Sequence, residues 1–491
     1  MDALYYIFSN VWAVVLMIFF FGASIFVHEL GHFLAARWRG MKVERFSIGM
    51  GPKIFGWTGK DGVEYRVAWI PIGGYVLLPQ MANMDAIEGE SKTDVSKLPP
   101  VSYLSKVITL AAGAFFNILF AIVLATIIWA VGRQVAVEEQ SNVIGSVRAT
   151  VDTSDGQTVP SPAAAAGIKP GDSVLAVDGK SVATFGAIYE RIVLGSGRDK
   201  NGDPEVTLTV RRGDKTFDVD ASPVYVSSDR IRDIGISLAA KIVIADVTPD
   251  SAAATAGLKA GDILTHIDGE PIQTLTTLPD HLARTKDKPV VIAYTRDGAA
   301  STVTVTPRLR MNPDTQAPAY LLGVVQQPSF TLVTAHVPPW TQIANVVTRT
   351  WSTLVSLASP HSDIGLSKMS GPIGIGRLLI DTAKYDFISL LVVVVLINVS
   401  LAIFNMLPIP VLDGGHILFA TIEKLRGRPL PPRFVMTTQS VFMLLLFSMI
   451  IYVSFFDVRR IFPQPKPAAV APAQESAPAA PALPAQPAPA Q

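Results

Sequence analysis

The stretch "SIFVHELGHFLAARW", residues 24–38, decides how the rest of the chain is read. His28, Glu29 and His32 interrupt a run that is otherwise apolar enough to lie in a membrane. Ionisable side chains at that depth are costly and tend to be functional. His28-Glu29-Leu30-Gly31-His32 fits the pattern H-E-x-x-H. On a helix, residues i and i+4 share a face, so both imidazoles can reach one metal ion. Neutral imidazoles suit zinc at about 2.0–2.1 Å. Zinc held there would polarise a scissile carbonyl and acidify a water molecule. Glu29 stands next to that face as a base for the water's proton. Soluble proteins match three fixed residues by chance. Here two of only seven histidines flank a glutamate inside an apolar span, where a charged side chain costs about 2.5–3.5 kcal/mol.

The composition fits a polytopic membrane protein. Of 491 residues, 49% are hydrophobic and 16% charged, against about 25% charged in soluble domains. Four stretches reach the ~20 apolar residues that cross a bilayer. They lie near 11–36, 104–132, 386–408 and 434–456. The opening "MDALYYIFSN" has no basic region, and no small-residue cleavage site follows the first apolar run. That run therefore reads as a retained span rather than a signal peptide. Arg37, Arg39, Lys42, Arg45, Lys53, Lys60 and Arg66 follow the first span, and Lys424, Arg426, Arg428 and Arg433 separate the last two. Both loops are expected on the cytoplasmic side, with the N-terminus, residues 133–385 and the tail outside. Arg459 and Arg460 run against this and are outweighed. A net charge of +1 gives no reason to expect nucleic acid. With no cysteine, disulfides, thiolate metal sites and cysteine nucleophiles are excluded.

Residues 133–385 contain an internal repeat. "AGIKPGDSVLAVDGKSV" begins at Ala166 and "AGLKAGDILTHIDGEPI" at Ala256, without gaps. Each copy has a Gly-Asp turn, a short strand and an Asp-Gly turn. Each ends in a Gly-hydrophobic element, Gly235-Ile236 in "DIGIS" and Gly323-Val324 in "LLGVV". The copies resemble circularly permuted bacterial PDZ domains. The resemblance implies that these elements take a peptide as an added strand, often with its C-terminal carboxylate. Further on, Trp340, Ile343, Val347, Trp351 and Leu354 recur at helical spacing. That helix is expected either at the membrane interface or packed on the second repeat. The Pro/Ala tail after Phe462 cannot bury a core and reads as disordered.

Two histidines leave a catalytic zinc one protein ligand short. His266, His281, His336 and His361 fall on the opposite side of the membrane from the motif. "FNMLPIPVLDGGH", at the end of the third apolar stretch, offers Asp413, with His416 as a rival beyond the glycines. Pro408 and Pro410 break the helix there, and unwound backbone at that depth is tolerated only where it lines a site. The first and third stretches end on the same side, so His32 and Asp413 reach the same leaflet.

"HELGH" and "NMLPIPVLDGG" resemble the site-2 protease family of intramembrane zinc metalloproteases. Four spans around two PDZ-like repeats narrow the resemblance to the regulator of sigma-E protease type. "FSIGMGPKIF", "GVEYRVAWIPIGGYV" and "MSGPIGIG" add to it, and it covers residues 1 to about 460. It implies one Zn2+ bound by His28, His32 and Asp413, with Glu29 as the catalytic base. It implies substrate binding by Asn405. It also implies a membrane-reentrant β-hairpin ending in Gly73, Gly74 and Tyr75, whose edge holds the substrate extended. Two positions depart from the pattern. Ala114 replaces a proline in "GAFFN", which retains Asn117, and Ser400 replaces an asparagine.

The expected chain is a polytopic α-helical membrane protein with four transmembrane helices, a membrane-associated β-hairpin and two tandem extracytoplasmic α+β PDZ domains. A first helix carries H-E-x-x-H (1–38), followed by the cytoplasmic-side hairpin loop (39–101) and a second helix (102–133). The PDZ domains take 140–238 and 239–328. Then come a juxtamembrane segment (335–385), a third helix with Leu-Asp-Gly (386–415), a cytoplasmic loop and fourth helix (416–460), and the tail (461–491). The resemblance implies a bacterial inner-membrane enzyme of regulated intramembrane proteolysis in a stress response. Its substrates would be single-span proteins such as an anti-sigma factor, or remnant signal peptides. The PDZ pair would filter ectodomains by size or bind peptide C-termini. A PDZ scaffold with a structural metal is the alternative.

Overall fold

The computed structural model describes residues 11–81, 93–94, 97–227, 229–312 and 317–461. The N-terminal "MDALYYIFSN" and the tail from 462 onward, read above as part of a retained span and as disordered, lie outside the described residues. Among the described residues four helices are long and apolar enough to cross a membrane: Val11–Trp38, Tyr103–Val131, Phe387–Asn405 and Pro432–Ile461. The second starts where the Ser102 hydroxyl accepts the Ser105 N–H at 3.2 Å. The third starts where the Asp386 carboxylate accepts the Ser389 N–H at 2.8 Å. It ends at Asn405, just before Pro408, whose ring disfavours helix in the residue ahead of it.

The first three spans form one bundle around Ala13, Phe20, Ala125, Ile128, Leu390 and Val394. A Cβ on Gly31 would come within 2.4 Å of the Ala112 carbonyl oxygen. Glycine thus lets the first two helices touch backbone to backbone. Asn398 joins the third span to the first by donating to the Ser24 hydroxyl at 2.8 Å. The fourth span buries only Val435, Gln439, Val453 and Asp457 along its 30 residues. Asp457 accepts the Gly371 and Gly374 N–H groups, each at 2.9 Å, at the start of helix Pro372–Tyr385. A carboxylate is favourable at a helix N-terminus. The glycines of "MSGPIGIG" make the room, since a Cβ at Gly374 would lie 2.6 Å from Asp457. Arg460 closes this contact through Asp229 at 3.2 Å and the Met369 carbonyl at 3.0 Å.

The hairpin pairs Arg45–Thr58 with Glu64–Leu77. Its turn lies ahead of Glu64, where Gly59 N–H donates to the Val63 carbonyl and Gly62 takes a φ of 79°. Residues 45–48 pair with 74–77 on one side and with 64–67 on the other, so the ribbon doubles back on itself. Helix Pro339–Ala358 packs Ile343 and Val346 onto the bundle, and its Gln342 amide donates to the Ala125 carbonyl at 3.1 Å. The Thr350 and Ser400 hydroxyls meet at 3.1 Å, so Ser400 joins this helix to the third span. Trp340, Val347 and Trp351 are exposed on it. Its inner face therefore belongs to the bundle.

Between the second and third spans stand two α+β units with separate cores. The first orders its sheet Lys215–Ala221, Val206–Arg212, Ser173–Val177, Lys180–Ser181. The second orders Ala299–Val305, Val290–Arg296, Ile263–Ile267, Lys241–Val247, Val324–Ser329. The sequence repeat is a structural repeat. Asp172 and Asp262, from the two Gly-Asp turns, each take a bidentate arginine, Arg212 at 2.7 and 2.6 Å and Arg296 at 2.6 and 2.7 Å. Entry strand Arg133–Ala136 pairs with exit strand Leu332–Ala335, so both units leave the bundle through one ribbon.

Burial raises the Asp172 and Asp262 carboxyls, but the arginines and the Lys169 and Lys259 N–H groups outweigh it and hold both below the usual range. A folded-state value below the unfolded one gives stability that is complete above the ordinary aspartate value of about 3.9 and is lost as pH falls past it. Acid titration followed by circular dichroism should show these units losing stability as pH falls below about 4. Asp172→Ala should lower stability in denaturant titration by about 1.5–3 kcal/mol. Acid-insensitive units and an unchanged midpoint would contradict this.

Candidate metal centre

His28 and His32 lie one turn apart near the end of the first span, on the face turned to the second. Gly113 faces them. A Cβ there would sit 2.5 Å from His32 Nε2 and 2.7 Å from His28 Cε1, so both rings rest on bare backbone. His32 Nδ1 lies 2.8 Å from the Thr109 carbonyl. A carbonyl only accepts, so Nδ1 carries a proton, and in the neutral ring Nε2 keeps its lone pair. Asn117, fully buried one turn beyond Gly113, places its amide 3.3 Å from His28 Nδ1.

Asp413 arrives from the other end of the chain. After Asn405 the backbone turns back on itself and restarts as helix Asp413–Arg426. A Cβ on Gly414 would lie 2.4 Å from the Leu407 carbonyl oxygen, and one on Gly415 would lie 2.1 Å from that of Ile409. The two glycines therefore let the Pro-rich turn fold against the new helix. Asp413 Oδ2 is buried without a hydrogen-bond donor among the described residues. It lies 3.3 Å from His28 Nε2 and 3.5 Å from His32 Nε2, and the two Nε2 atoms are 3.2 Å apart.

Three potential electron-pair donors thus converge. Tetrahedral bonds of 2.0–2.2 Å put ligand atoms about 3.3–3.6 Å apart, and these separations come within about 0.1 Å of that range. The set could hold one zinc-sized ion. His28, His32 and Asp413 are the one such group among the described residues. His416 is buried in the first turn of its helix, edge-on to Phe419, and is not in the group.

Glu29 is buried beside the cluster. A Cβ on Gly74 would meet Glu29 Cγ at 2.7 Å, so the hairpin backbone runs directly over this carboxylate. Gly73 has a φ of 80° and faces Met50. Tyr75 is buried, with its hydroxyl held by Arg66 and, at 3.4 Å, by Arg45. Asn405 Nδ2 lies 3.4 Å from His28 Nε2. His28, Glu29, His32, Asn405, Asp413 and Gly74 are therefore together. Gly235, Ile236, Gly323 and Val324 belong to the α+β units. Gly235 and Gly323 have φ of 85° and 82° and back onto Ser161 and Ser251. Val324 opens the edge strand of the second sheet, paired on one side with Lys241–Val247. Sequence reasoning missed the Thr109 carbonyl, which no side chain announces.

Residues 16–449 match the family described as Peptidase family M50. The chain belongs to peptidase family M50. The M50 chain is 32% identical over 470 residues to the regulator of sigma-E protease RseP of Salmonella typhimurium, covering 91% of itself and 99% of the relative. It is 32% identical over 473 residues to the Escherichia coli protein of that name, with the same coverage. A Neisseria meningitidis relative, 30% identical over 91% of this chain and 99% of its own length, has a name that proposes a zinc metalloprotease. Among solved structures, the PDZ domain of an SdrC-like protein from Listeria monocytogenes matches 18% of this chain and 86% of its own length. It is 22% identical with a TM-score of 0.15, too low to carry an argument. This M50 chain is a metalloprotease of the site-2 protease type.

Gly113→Ala should drive a methyl group into both imidazoles and weaken metal retention roughly tenfold or more. Elemental analysis after dialysis against a weak chelator reads this directly. Wild-type metal content in that variant would contradict the geometry.

Proposed function

We propose that this M50 chain is a zinc endopeptidase that cuts transmembrane segments of single-span proteins within the bilayer. One ion is held by His28, His32 and Asp413. The convergence of three potential ligand atoms in a buried pocket between apolar helices carries the reading. When bound, the ion supplies Lewis acidity to the scissile carbonyl and to water. Glu29 takes the water's proton and returns it to the departing amine. A structural metal would be closed by four protein ligands. Only three gather here among the described residues, which supports a catalytic site over a scaffold.

The substrate lies extended along the hairpin at Gly73, Gly74 and Tyr75. Helical peptide bonds are enclosed by their own turns, so a strand must form before cutting. Gly74 has no side chain to hold such a strand away from Glu29. Tyr75 contributes backbone, because its ring and hydroxyl are engaged beneath. Asn405 offers its amide to the substrate backbone, which in lipid has no water to bond. Ile54, Phe55, Trp57 and Trp69 are exposed on the hairpin, as suits a ribbon that dips into the membrane.

The membrane is the bacterial inner membrane, with the metal end of the bundle toward the cytoplasm and the α+β units outside. Those units act as PDZ domains. Gly235-Ile236 and Gly323-Val324 receive peptide C-termini, or the pair excludes bulky ectodomains. Substrates are anti-sigma-factor-like proteins and remnant signal peptides.

Glu29→Gln should leave zinc content intact and slow cleavage of a tagged single-span substrate by roughly 10²–10⁴-fold. Undiminished cleavage would end the protease reading. His28→Ala should lower zinc stoichiometry, and unchanged stoichiometry would remove His28 from the site.

A further inference from the structure

The second span presents three features to the metal centre, each one turn apart: the Thr109 carbonyl, bare Gly113 and the Asn117 amide. The Thr109 carbonyl fixes which nitrogen of His32 faces the ligand cluster. Among the described residues no carbonyl does the same for His28. Its Nε2 points at Asp413, His32 and Asn405, and its Nδ1 points at Asn117. The orientation of Asn117 is informative. As placed, Nδ2 faces the ring at 3.3 Å while Oδ1 is buried with no partner among the described residues. In that pose an N–H donor meets Nδ1, which suits only the tautomer protonated on Nε2. That tautomer cannot offer Nε2 to a metal. Amide oxygen and nitrogen are assigned from their surroundings, and a half-turn exchanges them. Turned over, Oδ1 accepts the Nδ1 proton and Nε2 keeps its lone pair for the cluster.

We propose that Asn117 is a positioning residue for metal binding, holding His28 in its Nδ1–H tautomer through the amide oxygen. The inference rests on His28 being a ligand, as proposed above. The second span then sets both imidazoles, His32 by backbone at 109 and His28 by side chain at 117. Partners of this kind raise ligand basicity and fix ring orientation, and their loss costs about 10–100-fold in metal affinity.

The role makes an unusual demand on substitutions. Asn117→Leu preserves size and suits an apolar helix contact, but removes the acceptor. Asn117→Asp puts a carboxylate in a buried contact, but retains the acceptor. If Asn117 only fills space, the leucine variant is benign and the aspartate variant is the damaging one. If it orients His28, the order reverses.

The test is zinc affinity of the purified full chain by chelator competition, with thermal unfolding of the apo protein measured alongside. Zinc binding in Asn117→Leu should weaken roughly 10–100-fold, with apo unfolding unchanged, while Asn117→Asp stays at the wild-type level. Wild-type affinity in the leucine variant, or equal loss in both, would overturn the proposal. 15N NMR of histidine-labelled, zinc-loaded wild type gives a second reading that needs no variant. A protonated Nδ1 on His28 is expected, and an unprotonated one overturns the proposal. If wild type itself bound no zinc, the metal reading would fail. Zinc binding in wild type that is indifferent to position 117 would remove Asn117 alone.

Discussion

Two imidazole nitrogens and a carboxylate oxygen lie within 3.5 Å of one another inside a helical bundle. Lone pairs at that separation repel, and burial among apolar helices leaves the repulsion weakly screened. A cation turns the repulsion into attraction, so the arrangement makes physical sense as a ligand set. Much of the local architecture follows from this requirement. The rings need a flat surface, which Gly113 supplies. The first two helices must approach closely, which Gly31 permits. The carboxylate must enter from a separate segment, so the third span stops at Asn405 and the chain restarts at Asp413.

The same constraint explains where rigidity and looseness fall. The first three spans interlock around the site, with Asn398 and Ser24 bonded across the interface. The fourth span contributes little to that core and is held chiefly at one end, through Asp457 and Arg460. The α+β pair joins the bundle through a two-stranded ribbon and through the first unit, whose Asp229 meets Arg460 of the fourth span and whose Leu194 carbonyl accepts from Ser356. The hairpin leans on the centre through Gly74, where its backbone passes over Glu29.

Much of this was legible from the amino acids. The four apolar stretches announced the helices by length. The Ala166 and Ala256 repeats announced two similar units, and the structure gives the reason, since Asp172 and Asp262 anchor the same turn to the same kind of arginine. The metal group was legible because a polar motif in an apolar span is costly. Other features were not. The doubled ribbon arises from residues 45–48 pairing on both sides, which alternation along one strand cannot reveal. The Thr109 contact uses a backbone carbonyl, and backbone carbonyls are the same in every residue. Arg460 looked like a breach of charge asymmetry until Asp229 and Asp457 gave it partners. Helix Pro339–Ala358 showed its period in the sequence, but not that Ser400 would receive it.

The central claim is that two segments almost four hundred residues apart share one ion. X-ray absorption at the zinc edge of the purified chain tests it most directly. The account predicts two imidazoles by multiple scattering, with nitrogen and oxygen ligands at about 2.0–2.2 Å. In Asp413→Ala the protein oxygen ligand should be gone while both imidazoles remain. Three or more imidazoles in the wild type, or a spectrum unmoved by loss of Asp413, would contradict the account.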